Sequence, residues 1–119
     1  MGREVNIIHR ENYKGNAVTH DALFDGKLRC MQHRDGYRFS IDSVILAHFI
    51  TPDLNDEILD LGAGCGIISL IMGYRWGNVL KSITGLEIQD SLADLARANI
   101  SINGLNSFCR IISGDVKTI

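Results

Sequence analysis

Pro52 is the only proline in the 119 residues, and the three cysteines, Cys30, Cys65 and Cys109, are too few and too widely spaced for a disulfide framework or a C-x-x-C zinc site. That usage fits a reducing, cytoplasmic setting. Charge of one sign is missing as well: 12 Lys and Arg face 14 Asp and Glu, a formal net of −2, so there is no overall nucleic-acid signature. No apolar run approaches the roughly 18 residues that a membrane span requires, and Met1-Gly2-Arg3-Glu4 lacks the apolar core of a secretion signal. Neither a membrane nor a metal is expected. What is present, 45% hydrophobic and 22% charged residues, is ordinary for a globular chain of at most one domain.

The most organised stretch is Glu57 to Met72. Ile58, Leu59 and Leu61 suit a short buried strand, Gly62, Gly64 and Gly66 free the backbone to turn, and Ile67, Ile68, Leu70, Ile71 and Met72 suit a helix packed on a sheet. Strand, glycine turn and helix open a nucleotide-binding α/β unit. A dinucleotide fingerprint, G-x-G-x-x-G, would need its third glycine at position 67, which is Ile67. The pattern present is instead D-x-G-x-G-x-G, from Asp60 to Gly66. Cys65, inside the turn, reads as a small side chain suited to tight space.

A second strand over Ser82–Leu86 ends at Glu87, where a carboxylate can accept hydrogen bonds from both hydroxyls of a ribose. The next helix starts at Asp90 or Ser91, carries Leu92, Leu95, Ala96, Asn99 and Ile100, and stops at Asn103-Gly104. A third strand, Phe108–Ser113, leads to Gly114-Asp115, whose acidic side chain can accept from an adenine amino group with Val116 beside the ring.

Ahead of this unit, residues 1 to 20 show no sustained period and read as a mobile or weakly ordered lead-in, with His20 in solvent. Ala22-Leu23-Phe24 and Lys27–Gln32 flank Asp25-Gly26 as a hairpin about a two-residue turn, and Tyr37-Arg38-Phe39 after Asp35-Gly36 completes a small antiparallel meander. Ser40 caps a helix carrying Ile41, Val44, Ile45, Leu46 and Phe49 and closed by Thr51-Pro52. On pattern alone, Tyr37 and Phe39 are core aromatics and Asp42 is a helix-capping residue. The division expected is a lead-in over 1–20, a hairpin and helix over 21–52, and a truncated Rossmann-like unit over 53–119.

The order and spacing of the glycine turn, Glu87 and Gly114-Asp115 resemble motifs I, II and III of the class I S-adenosylmethionine (SAM)-dependent methyltransferases. The segments D-G-Y-R-F-S-I-D (35–42), E-I-Q (87–89) and R-A-N-I-S-I-N-G-L (97–105) are similar to those of the bacterial tRNA(Val) adenine-N6 methyltransferases and small methyltransferases. That resemblance implies a SAM-binding α/β, Rossmann-like half of three parallel strands with helices. It places Asp60 near the methionyl amino group, with Gly62, Ala63, Gly64 and Gly66 forming the turn along the methionine portion. Glu87 would bind the ribose, Ile88 would pack on the adenine, and Asp115 and Val116 would take its edge. Tyr37, Phe39 and Asp42 would lie over the cofactor.

Family members carry an Asn-Pro-Pro-Tyr/Phe motif after a fourth strand, which holds and stacks the target base. This chain stops at Ile119 with Pro52 its only proline, so no catalytic residue is assigned and the chain alone is expected to be inactive. The partners implied are SAM or S-adenosylhomocysteine, and tRNA or other RNA for the intact enzyme. Two alternatives stay open: transfer to a protein glutamine or a small molecule, and a non-catalytic nucleotide-binding module that self-associates through an open sheet edge.

Overall fold

The computed structural model describes the backbone of residues 6–13 and all atoms of residues 14–36 and 38–118. Two three-stranded sheets are built in succession. Strands β1 (Asn6–Tyr13), β2 (Asn16–Leu23) and β3 (Leu28–His33) form an antiparallel meander in the order β1-β2-β3. After α1 (Ile41–Phe49) come β4 (Glu57–Leu61), α2 (Ile67–Trp76), β5 (Ser82–Glu87), α3 (Asp90–Ile102) and β6 (Cys109–Ser113), with a final 3-10 turn over Val116–Thr118. The last three strands run parallel in the order β4-β5-β6, in register from Glu57↔Ser82 and from Ile83↔Cys109.

Helices α2 and α3 lie between the sheets, touching β3 on one side and β5 on the other. Their buried residues, among them Leu70, Ile71, Met72, Leu95 and Ile100, join Val18, Leu23 and Leu28 of the meander to Ile83 and Ile111 of the parallel sheet in one core. Gly85 of β5 leaves no room for a side chain: a Cβ there would sit 2.6 Å from Cδ1 of its cross-strand neighbour Ile111 and 3.0 Å from Ala63 Cβ in the glycine turn. The opposite face of the parallel sheet is open, with Leu59 64% and Leu61 57% exposed.

The parallel unit follows the sequence reading in the order of its elements, and β5 ends at Glu87. Strand β4, expected as a buried strand, leaves Leu59 and Leu61 exposed because no layer covers its outer face among the described residues. The N-terminal part departs from the reading further. Residues 6–20, expected as a weakly ordered lead-in, hold β1 and most of β2, and His20 is buried rather than solvated. The alternating pattern that announces a half-buried strand is absent because β2 is buried on both faces from Val18 to Leu23, polar residues included. Asp21, 1% exposed, accepts from Gln32 Nε2 and, at 3.2 Å, from Arg38 Nη2, and Arg38 also donates to Thr19 Oγ1 at 2.9 Å. The β2–β3 connection is also longer than two residues. Phe24, Asp25 and Gly26 all take positive φ, so pairing stops at Leu23↔Leu28. The meander's third strand is therefore β3; Arg38 and Phe39 lie outside any strand, and Tyr37 lies outside the described residues.

Candidate functional site

The C-terminal end of β5 gathers the site. The backbone amides of Gly62 and Ala63 both donate to Leu86 O at 2.9 Å, which folds the glycine turn back over the strand. Gly62 and Gly64 have φ of 72° and 59°, a region that side chains with a Cβ adopt at a cost. Next, Gly64 N–H donates to Glu87 Oε1 at 2.7 Å and Gln89 N–H to Oε2 at 2.9 Å. From the other side Gly114 N–H donates to the Glu87 carbonyl at 3.0 Å. Glu87 is 5% exposed, so its carboxylate is held by two amide dipoles at a fixed place between the glycine turn and the end of β6. Each oxygen keeps lone-pair capacity for a second donor.

Beside it opens a cleft of about 290 Å³ lined by Leu61, Gly62, Leu86, Ile88, Gly114, Asp115 and Val116. Ile88 and Val116 are 61% and 57% exposed, which leaves apolar walls suited to a flat ring. Asp115 is tied locally, its Oδ1 accepting from Lys117 N–H at 2.9 Å.

On the helix side of β4, Asp60 accepts a long hydrogen bond, 3.4 Å, from Ser69 Oγ of α2. Burial pushes its pKa up to about 6, against the Ser69 hydrogen bond that lowers it, with the Glu87 charge adding to the rise. Asp60 is therefore a carboxyl that a nearby cation would ionise. No side chain caps α2 at Gly66. A Cβ on Gly66, at φ 90°, would meet Ala96 Cβ at 3.3 Å, so this third glycine serves the approach of α3 as well as the turn.

Of the residues singled out from the sequence, Gly62, Ile88, Asp115 and Val116 line the cleft, and Gly64 and Glu87 brace it. Asp60 is half-buried and is not among the residues lining the cleft, and Ala63 and Gly66 shape the turn. Phe39 and Asp42 are not brought to the cleft lining. Phe39 packs on the core with its N–H given to Gln32 Oε1 at 2.8 Å, and Asp42 is exposed in the first turn of α1, which Ser40 caps.

Two roles escaped the sequence reading, that of Ser69 and that of Asn99, which was placed on the α3 stripe without a partner. Ser69, the partner of Asp60, sits in an apolar run with nothing to distinguish it. Asn99, 0% exposed, donates to Cys65 O and Met31 O at 2.9 Å each and accepts from Met31 N at 2.7 Å, joining α3 to the glycine turn and to β3. A polar residue on the apolar stripe of α3 was the available signal.

A parallel α/β unit with a glycine turn and an acidic residue ending its second strand defines a nucleoside-binding class of site. Residues 37–118 match the model of the methyltransferase small domain, and the chain belongs to that family. It is 30% identical over 82 residues to a tRNA1(Val) (adenine(37)-N6)-methyltransferase of Photobacterium profundum, a match covering 69% of this chain and 34% of that protein. A putative protein N5-glutamine methyltransferase of Methanocaldococcus jannaschii is 28% identical over 74 residues, 62% of this chain and 36% of the relative. The chain thus spans about a third of the length of these relatives. Among solved structures, Pyrococcus horikoshii TYW2 in complex with MeSAdo superposes with a TM-score of 0.68 at 19% identity, over 90% of this chain and 39% of that one, a likeness of fold.

Proposed function

We propose that this chain is the cofactor-holding part of a SAM-dependent methyltransferase whose intact form methylates an adenine N6 in tRNA or another structured RNA. The observation that carries the reading is the buried Glu87 carboxylate, pinned by Gly64 and Gln89 at the head of the cleft. Its remaining lone pairs suit a ribose diol. Ile88 and Val116 suit the faces of an adenine, Asp115 its amino group, and Asp60 the cationic amino group of the methionine portion. The bound sulfonium would supply an activated methyl group for in-line transfer, and holding it in place would be this chain's contribution. No residue of the chain is assigned to the acceptor, and the 119 residues alone are expected to give no turnover with tRNA.

Calorimetric titration with S-adenosylhomocysteine tests the reading. Glu87→Ala should weaken binding by about tenfold or more, the loss of hydrogen bonds to a charged group, and Asp60→Ala should weaken it as well. Equal affinity in both variants would sink it.

Two observations favour second readings. The glutamine-methyltransferase relative leaves the acceptor open between a base and an amide. The exposed Leu59 and Leu61 on edge strand β4 favour self-association, which sedimentation at several concentrations decides, a monomer throughout counting against it.

A further inference from the structure

Cys30 and Cys65 meet behind the glycine turn. Their Sγ atoms are 3.7 Å apart, and the residues are 0% and 1% exposed. Cys30 belongs to β3 and Cys65 to the turn between Gly64 and Gly66. Asn99 Nδ2 lies 3.6 Å from Cys30 Sγ and 2.9 Å from Cys65 O, so one amide holds both segments in place. A disulfide requires about 2.05 Å between sulfurs, so the pair has to close by roughly 1.7 Å, shared between a strand and a turn flanked by glycines.

We infer that Cys30 and Cys65 form an oxidation site: a peroxide converts them to a disulfide that draws the glycine turn towards β3 and weakens binding in the cleft. The pairing stands on the thiol geometry, and only the identity of the cleft's ligand rests on the proposed function. One thiol, as thiolate, attacks the peroxide O–O bond, becomes a sulfenic acid and releases hydroxide, which leaves with the thiol proton as water. The second thiolate attacks the sulfenic sulfur, the S–S bond forms, and hydroxide departs with the second proton as water. Two thiols lose two electrons, and one peroxide becomes two waters.

The hydrogen bond with Cys65 and burial push the Cys30 thiol well above its ordinary range. Oxidation therefore waits on a local opening of β3, is slower than that of an exposed thiol, and accelerates with pH. Its effect reaches the cleft through the neighbouring residue. Gly64 N–H donates to Glu87 Oε1 at 2.7 Å, and moving Cys65 towards β3 stretches that bond.

The test treats the chain with hydrogen peroxide, maps disulfides by mass spectrometry without reduction, and compares oxidised with re-reduced protein. Expected are a Cys30–Cys65 linked peptide with Cys109 still free, faster amide exchange at Gly64, and affinity for S-adenosylhomocysteine lower by about tenfold, as for one hydrogen bond to a charged group, all reversed by dithiothreitol. Cys30→Ala should show none of these changes. Both thiols left open to alkylation after unfolding, separate sulfinic acids, or links between molecules would overturn the site. A Cys30–Cys65 link with unchanged Gly64 exchange and affinity would overturn its coupling to the cleft. If the link forms and Gly64 exchange rises but the reduced chain binds no S-adenosylhomocysteine, the cofactor reading alone fails.

Discussion

Asp60 shows how a residue proposed for binding can weigh against stability. Its pKa rises from an ordinary 3.8 to about 6 chiefly because burial takes the carboxylate from water, with the Glu87 charge adding to the rise. Between those values the folded chain holds a proton that the unfolded chain has released, so stability falls as pH rises through that window and stays lower above it. At roughly 1.4 kcal/mol per unit the cost above pH 6 is about 2–3 kcal/mol. Asp60→Asn should therefore raise stability to urea at pH 7.5 and leave it unchanged near pH 3.5, while weakening S-adenosylhomocysteine binding. Equal gains at both pH values would contradict this account of Asp60. In the wild-type chain, affinity should decline as pH drops through about 6, because a protonated Asp60 cannot pair with an ammonium group. At this scale Glu87 was legible, because its distance from the glycine turn follows from one helix and one strand. Ser69 was not, since a serine within an apolar run carries no sign of the carboxylate it will meet.

The junction of α3 with β3 is made by side-chain amides standing in for a strand. Asn99 exchanges hydrogen bonds with the backbone of Met31, and Asn103 with that of Arg29, accepting from N at 2.9 Å and donating to O at 2.6 Å. The periods match: four helical residues rise about 6 Å and two strand residues about 6.8 Å, so residues i and i+4 of a helix can serve residues i and i+2 of a strand edge. Asn99→Leu leaves Met31 and Cys65 backbone groups unpaired in the core and should cost about 3 kcal/mol or more. Asn103→Ala, at an exposed end, should cost about 1 kcal/mol. Urea midpoints measure both, and equal losses would refute the ranking. Elements of the parallel unit were legible because continuous apolar runs and glycine turns agreed there, although neither α2 nor α3 has a side-chain cap. β1 and most of β2 were not, because β2 buries Thr19, His20 and Asp21 against partners distant in sequence, which erases the alternation that identifies a strand.

For the molecule as a whole, two helices fill the space between two unlike sheets, and the parallel sheet is covered on that face alone. Parallel sheets are ordinarily covered on both faces. Here Leu59, Leu61 and Ile112 remain 64%, 57% and 40% exposed on the outer face, and β4 pairs on one side only among the described residues. The three parallel strands were legible from the apolar runs after Pro52, but the placing of the meander over α2 and α3 was not, since it depends on contacts such as Asn99 to Met31 that no local pattern announces. If the open face drives association, Leu59→Lys with Leu61→Lys should lower the sedimentation coefficient at high concentration and leave it unchanged when dilute. No difference at any concentration would remove this face from consideration.

On the proposed function, the cleft at the ends of β4, β5 and β6 holds the nucleoside of SAM. Amide chemical shifts recorded while S-adenosylhomocysteine is added to the isotope-labelled chain would locate the ligand residue by residue. Gly62, Gly64, Ile88, Asp115 and Val116 should shift together along one binding curve, with residues 18–23 of β2 unmoved. Shifts centred elsewhere, or none in a folded chain at millimolar ligand, would contradict it.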